Sequence, residues 1–362
     1  MKRLFILVLS LLVSTSALTQ VPYPFTTTPI TELNEPWALA FLPDGRILVT
    51  EKGGTIQLVT QDGQKTEVAG APEVDYFFQG GMGDITLHPD FEKNNIVYVS
   101  YVEAGANETR GAVVARGTLN LDTPAIENLN VIWRAFPKVD GGLHFSHRIA
   151  FDAEGYMFVS AGERNKLDPA QDLNMTLGKI VRLNDDGSAA TNNPFSDMGG
   201  IAAEIYSYGH RNPLGIAFDG DGQLWNIEMG PRGGDELNLV EAGNNYGYPH
   251  VSNGNDYNGD IIPDHDTRPE FTKPKVWWNP VISPSSVMFY DGDAFPNWKG
   301  NAFITGLSSM TIVRIAINRG NAQEAERFTM GKRIRGIAQG PKGNIWAIED
   351  GGEGRLIKLS PR

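Results

Sequence analysis

The side chains best suited to chemistry crowd into Tyr208–Pro249, YGHRNPLGIAFDGDGQLWNIEMGPRGGDELNLVEAGNNYGYP. A guanidinium beside an amide, Arg211-Asn212, opens the stretch, and Arg offers a planar fork suited to carboxylates or a quinone oxygen. A Gly-Pro-Arg-Gly-Gly turn then leads into paired acids, Asp235 and Glu236. Hard cations take carboxylates and backbone carbonyls, and Gly/Pro turns direct carbonyls outward, so Gly230-Pro231 with these acids suggests calcium. An anion site and a hard-cation site this close together suggest a polyanionic ligand bridged to the protein by a metal. A second acidic loop, GNDYNGDIIPDHD (254–266), lacks the spacing of an EF-hand and its closing glutamate, and reads as a polar excursion.

Two further clusters belong with these. His144 lies in DGGLHFSHRIAFD, and a histidine titrates near working pH, which makes it a candidate general base. Arg148 follows four residues on, a spacing that in extended structure places both side chains on one face, whereas alternation turns His147 away as packing. Arg333 and Arg335, two apart in KRIRGI, bring two guanidiniums to one strand face. Like charges so placed imply an anion between or above them, with salt bridges between neighbouring elements as the purely structural alternative.

The elements that must position these residues repeat. A phrase of apolar alternation, an Asp/Pro-Gly turn and a short apolar run recurs at 36–51, 81–101, 146–163, 213–228, 285–306 and 333–350. Each is two β-rich runs hinged by turn chemistry, as in a hairpin. Self-similar β units at such spacing mean a propeller or a solenoid. Six units of about fifty residues, each long enough for four strands, predict an all-β, six-bladed β-propeller. The 41 Gly and 22 Pro and the near absence of long amphipathic patterns agree with that. Loops at one end of the ring are expected to carry the function.

Composition places the chain outside the cytoplasm. Met1-Lys2-Arg3, an apolar run from Leu4 to Val13 and Ser14-Thr15-Ser16-Ala17 form the charged, apolar and small-residue regions of a secretory signal peptide. The expected division is a signal peptide over 1–19 and a single propeller over 20–362, periplasmic or secreted. The apolar run is too short to span a bilayer, so no membrane insertion is expected. With no cysteine there is no disulfide framework. Losing Lys2 and Arg3 takes the net charge from −12 to −14, which argues against nucleic acid as a partner.

Taken in order, WALAFLPDG, QGGMGDITLHPDF, GLHFSHR, YGHRNP, GPRGGDELN, NNYGYP and RIRG make the chain resemble the soluble quinoprotein aldose sugar dehydrogenases, from Pro36 to Arg362. The resemblance implies a six-bladed propeller with pyrroloquinoline quinone (PQQ) across the top of the central channel. It implies oxidation of aldoses at the anomeric carbon to lactones, with an external electron acceptor and a monomer or dimer. His144 is then the base that takes the anomeric hydroxyl proton as hydride passes to the quinone. Arg211, Asn212, Arg333 and Arg335 hold the carboxylates and carbonyls of PQQ, with Arg211 close enough to the reacting atoms to share in catalysis. Gln79 faces the sugar. Carbonyls of Gly230 and Pro231 hold a cofactor-bound Ca²⁺, and Glu236 and Tyr246 match a further calcium site.

The chain departs from the family at four cofactor positions. Leu214 replaces a glutamine, Ser308 a basic residue, Val281 a Ser or Thr, and Met229 a polar residue. Each change removes a donor or acceptor, at about 1–3 kcal/mol per lost buried or charged hydrogen bond, so weakened PQQ binding is expected. Two other readings stay open: a non-catalytic sugar- or surface-binding propeller, and a calcium-dependent propeller lactonase.

Overall fold

In a computed structural model, described over residues 23–362, six four-stranded antiparallel sheets follow one another around a ring. The signal peptide expected over 1–19 lies outside the described residues. The innermost strands are Pro36–Phe41, Met82–Leu87, Ser146–Phe151, Pro213–Phe218, Pro284–Phe289 and Ile334–Gln339, one from each repeated phrase. Each packs on its neighbour, and the sixth packs on the first, which closes the ring. The only α-helix among the described residues is Phe91–Asn94, and no helix there is long and apolar enough to cross a membrane.

The second strands explain the apolar runs in the sequence. Ile47–Glu51, Met157–Ala161, Leu224–Glu228, Ala302–Gly306 and Ile345–Glu349 are buried at every position. Both of their faces are covered by adjacent blades, so they read as continuous rather than alternating apolar segments. Blade 6 contains a feature the repeats did not reveal. Its outer strand is Phe25–Leu33, paired antiparallel with Gly354–Pro361, so the two ends of the chain complete one sheet. This closure leaves the ring no open seam, where an unpaired strand would invite association.

One irregularity recurs in all six blades. The pairing of inner with second strand shifts register within the first four residues of each inner strand, as between Pro36 and Ala38, Ser146 and Ile149, and Ile334 and Gly336. Such bulges bend a strand and re-aim its side chains. Segments just before the inner strands and just after the second strands therefore converge on the same end of the ring. That end holds every candidate residue.

Candidate active site

A cavity of about 420 Å³ opens at this end, lined from all six blades. Its size falls within the range of small-molecule sites. Trp37 and Lys52 come from blade 1, Gln79 from the approach to blade 2, His147 from blade 3, Leu214 and Met229 from blade 4, and Arg333 and Arg335 from blade 6.

His144 flanks this cavity. Its backbone N–H donates to Gln79 Oε1 at 2.9 Å, which ties the candidate base to the candidate sugar-facing glutamine. Its ring Nδ1 pairs with Glu163 Oε1. Glu163 is fully buried, and its second oxygen accepts the N–H groups of Lys166 and Leu167 at 2.5 and 2.7 Å. A carboxylate on Nδ1 fixes the tautomer and leaves the Nε2 lone pair available. Burial pulls the His144 pKa below the usual histidine value, against the opposing pull of Glu163, so the ring is neutral and basic near neutral pH. For Glu163, burial pushes upward, but the bond and charge of His144, the Leu167 N–H and the Arg211 guanidinium together outweigh it, and the carboxyl stays below its usual value.

His144 and Arg148 do not share a face, contrary to the extended-strand expectation. The chain between them takes positive φ at His144, Ser146 and His147, within the bulge. Arg148 instead plugs the channel under the cavity and reaches four other blades. Its Nε donates to the Leu214 carbonyl at 2.7 Å, Nη2 to the Ser285 carbonyl at 2.9 Å and Nη1 to Asp84 at 3.2 Å. Its guanidinium also stacks 3.9 Å from the Trp37 ring centroid. His147 packs as expected: its ring stacks on Trp37, its Nδ1 meets Ser100 Oγ, and burial drives its pKa down to about 3. Gly83 is what lets it fit, since a Cβ there would lie 1.9 Å from the ring.

Arg211 and Asn212 sit beside the cavity with unmet donors. Arg211 Nη1 donates to the carbonyls of Met229 and Gly230 at 2.9 and 2.7 Å, while its buried Nε has no partner. Asn212 Oδ1 accepts from Ser146 Oγ at 2.9 Å, and its buried Nδ2 is likewise unpartnered. Unpaired buried donors are costly, and these two, on consecutive residues, are available to acceptor atoms of a ligand. Arg333 and Arg335 already have an anion: their Nε atoms donate to the two oxygens of Asp350 at 2.7 and 2.8 Å. The pair therefore contributes one net positive charge, and its bridge lies within blade 6 rather than between blades.

Gly230, Pro231, Glu236 and Tyr246 line one small void of about 10 Å³, next to Glu228 and Tyr248. This is about the space of a single water-sized sphere. The residues of the two calcium sites expected separately thus line a single void. Asp235 and Glu236 are both buried. They open the buried third strand of blade 4, Asp235–Val240. Burial raises Asp235 to about 6, although its oxygens accept the N–H groups of Gly230, Ile282 and Ser283. Burial, then the neighbouring Glu228 carboxylate, pushes Glu236 well above the usual range. A cation would relieve that opposition. Tyr246 can offer only its carbonyl, because its hydroxyl donates to the Leu239 carbonyl and accepts the Glu241 N–H.

Of the four departures, Leu214 and Met229 do line the cavity, whereas Ser308 Oγ is bonded to Ser283 Oγ at 2.7 Å. The sequence reading missed Glu163, Lys52 and Asp350. A signal existed for the first: acids recur at or just beyond the end of the second strand, as Glu51, Glu228 and Glu349. Glu51 and Glu228 accept the N–H groups of Asn34 and Arg211, two residues before their inner strands.

The chain is similar to known proteins over nearly its whole described length. The family model described as Glucose / Sorbosone dehydrogenase matches residues 33–358. Over 340 residues the chain is 37% identical to aldose sugar dehydrogenase YliI of Escherichia coli, covering 91% of each. The fold matches the apo-form crystal structure of the soluble aldose sugar dehydrogenase from Escherichia coli with a TM-score of 0.90 at 36% identity, covering 93% of this chain and all of that one. It matches the PQQ-bound form of aldose sugar dehydrogenase from Streptomyces coelicolor with a TM-score of 0.76 at 27% identity, covering 94% of this chain and 99% of that one. A family model spanning nearly the whole propeller, on a cavity flanked by a carboxylate-held histidine, places this chain in the glucose/sorbosone dehydrogenase family, among the aldose sugar dehydrogenases.

Proposed function

We propose that this protein oxidises aldoses at the anomeric carbon to lactones, with PQQ as the acceptor in the cavity and His144 as the general base. The observation that carries this reading is the His144–Glu163 pair, tied to the cavity-lining Gln79 through the His144 N–H. The fit to PQQ is supported by the orphaned donors of Arg211 and Asn212 and by the cations of Lys52, Arg333 and Arg335 around a cavity of sufficient volume. Bound PQQ supplies a two-electron acceptor for the hydride on the anomeric carbon. Arg211 and Asn212 hold acceptor atoms of the cofactor, and the Arg333–Asp350–Arg335 bridge presents the remaining N–H groups of two guanidiniums. His144 Nε2 takes the anomeric hydroxyl proton while Nδ1–H stays on Glu163, which stabilises the imidazolium that forms. Gln79, fixed to the His144 backbone, positions the sugar hydroxyls. Release of the electrons needs an external acceptor.

A Ca²⁺ ion at the void of Gly230, Pro231, Glu236 and Tyr246 fits the donor set of backbone carbonyls and buried carboxylates. It would stabilise the turn that carries Met229 and Gly230 against Arg211. The lactonase alternative is less well supported, since the channel acid Asp84 is committed to Arg148 and to the Ile149 N–H. Met1–Ala17 supports export as a cleaved precursor, which the mass of the mature N-terminus would test. The function itself is tested by dye reduction with a panel of aldoses, with and without added PQQ and Ca²⁺. Sugar-dependent reduction that requires PQQ is expected. Absence of PQQ binding together with no turnover on any aldose would favour the non-catalytic sugar- or surface-binding reading instead.

A further inference from the structure

Lys52 differs from the other cations of the cavity. Arg333 and Arg335 are bridged by Asp350, and Arg211 is held by two carbonyls. The Lys52 ammonium donates to the Phe78 carbonyl at 2.6 Å and lies 4.7 Å from the Tyr76 ring centroid, with no salt bridge among the described residues. The nearby carboxylate of Glu35 is already engaged by the Tyr76 hydroxyl at 2.5 Å. An ammonium has three protons, and one carbonyl leaves two of them for a ligand. Lys52 follows the second strand of blade 1, Ile47–Glu51, and so lies at the cavity end of the ring. It lines the cavity beside Arg333, Arg335 and Asp350. Partial burial lowers its pKa, with Glu35 pulling the other way and Arg335 adding to the fall, an environment that favours an incoming anion.

We propose that Lys52 supplies a cationic contact to a PQQ carboxylate at the join of blades 1 and 6. This rests on the PQQ reading above. Ser308 is turned onto Ser283, and the three cations Lys52, Arg333 and Arg335 share the cavity with two acids, Asp350 and Glu35, the latter already bonded by Tyr76. A ligand carboxylate there completes the pairing, and a charge-assisted bond of this kind is among the stronger polar contacts.

The test is a fluorescence titration of apoprotein with PQQ at low and moderate salt, for wild type, Lys52→Gln, Lys52→Arg and Ser308→Ala. Gln keeps a donor for the Phe78 carbonyl and removes only the charge. Lys52→Gln is expected to weaken PQQ on the order of 10- to 100-fold and to flatten the salt dependence, with Lys52→Arg restoring most of it. Ser308→Ala should bind as wild type does. The trimethyl ester of PQQ, which lacks the carboxylate charges, should bind wild type and Lys52→Gln equally. Apoprotein melting curves check that each variant folds. Equal PQQ affinity of folded Lys52→Gln and wild type would overturn the role of Lys52 and leave the cofactor reading standing. No PQQ binding by wild type at any salt would overturn both.

Discussion

Two histidine–glutamate pairs stand in adjacent blades and differ in one respect. His144 precedes the inner strand of blade 3 and pairs through Nδ1 with Glu163, beyond the second strand. His210 precedes the inner strand of blade 4 and pairs through Nδ1 with Glu228, at the end of its second strand, at 3.0 Å. The His210 ring is closed off: Nε2 meets Ser207 Oγ at 2.9 Å, and Tyr246 stacks on it with centroids 4.6 Å apart. The His144 ring has no partner beyond Glu163 and lies next to the cavity-lining residues Gln79, Phe145 and Ser146. The same pair at similar blade positions is thus a brace in one case and a candidate base in the other. What separates them is whether the second nitrogen is satisfied, because a proton acceptor needs a free lone pair within reach of substrate.

Breaking the first pair should have the largest effect. His144→Gln is expected to lower sugar-dependent turnover by roughly 10²–10⁴, with PQQ affinity nearly unchanged, since it removes the base and none of the cofactor's cationic partners. Steady-state kinetics beside a PQQ titration check this, and wild-type turnover in the variant would move the base elsewhere.

Glu163→Gln tests the partner. Turnover should fall by about 10- to 100-fold, the scale of losing a group that orients an imidazole. The pH profile tells this apart from simple misfolding. His144 works when neutral, so the acidic limb of the rate profile follows its pKa. Burial already lowers that pKa and Glu163 raises it in opposition. Removing the carboxylate should therefore shift the acidic limb to lower pH, and a shift upward would contradict the assignment.

The second pair borders the proposed cation site through Glu228. A cation bound only by the folded state at a hundred times its dissociation constant stabilises by about 2.7 kcal/mol, so chelator should lower the melting temperature and added Ca²⁺ restore it. Glu236→Gln should blunt that response and, in chelator, melt no lower than wild type, because it relieves the opposition to Glu228. A melting curve indifferent to chelator would remove calcium from this void. The smallest expected change is in His210→Gln. It should cost roughly 1–3 kcal/mol of stability by denaturant unfolding and leave turnover per folded molecule unchanged. A selective loss of turnover in this variant would erase the distinction between the two pairs.

Much of this site was legible before any coordinates. His144, Arg211, Asn212 and Arg333, just ahead of the inner strands, and Arg335, the second residue of one, carry recognisable local phrases, and all of them come to one end of the ring. The acids that complete them were harder to see. Glu163 and Asp350 follow apolar second strands and look like surface turn residues, yet each meets a partner 15 to 19 residues away. Lys52 looked like part of a turn, and only its place beside Arg335 across the join of blades 1 and 6 makes it a cavity residue.

The sequence by itself determined the repeat, the number of blades and the turns between strands. These follow from local periodicity and turn chemistry, which act over a few residues. Only the tertiary structure decided which charges are spent on each other and which remain for a ligand. Asp350 takes both blade 6 arginines, Ser283 takes Ser308, and Ser207 takes the nitrogen that would have made His210 a base. It also decided that Phe25–Leu33 closes the ring with the far end of the chain. Such pairings depend on strand register, bulges and ring closure, which bring together groups whose separation along the chain carries no trace of their contact.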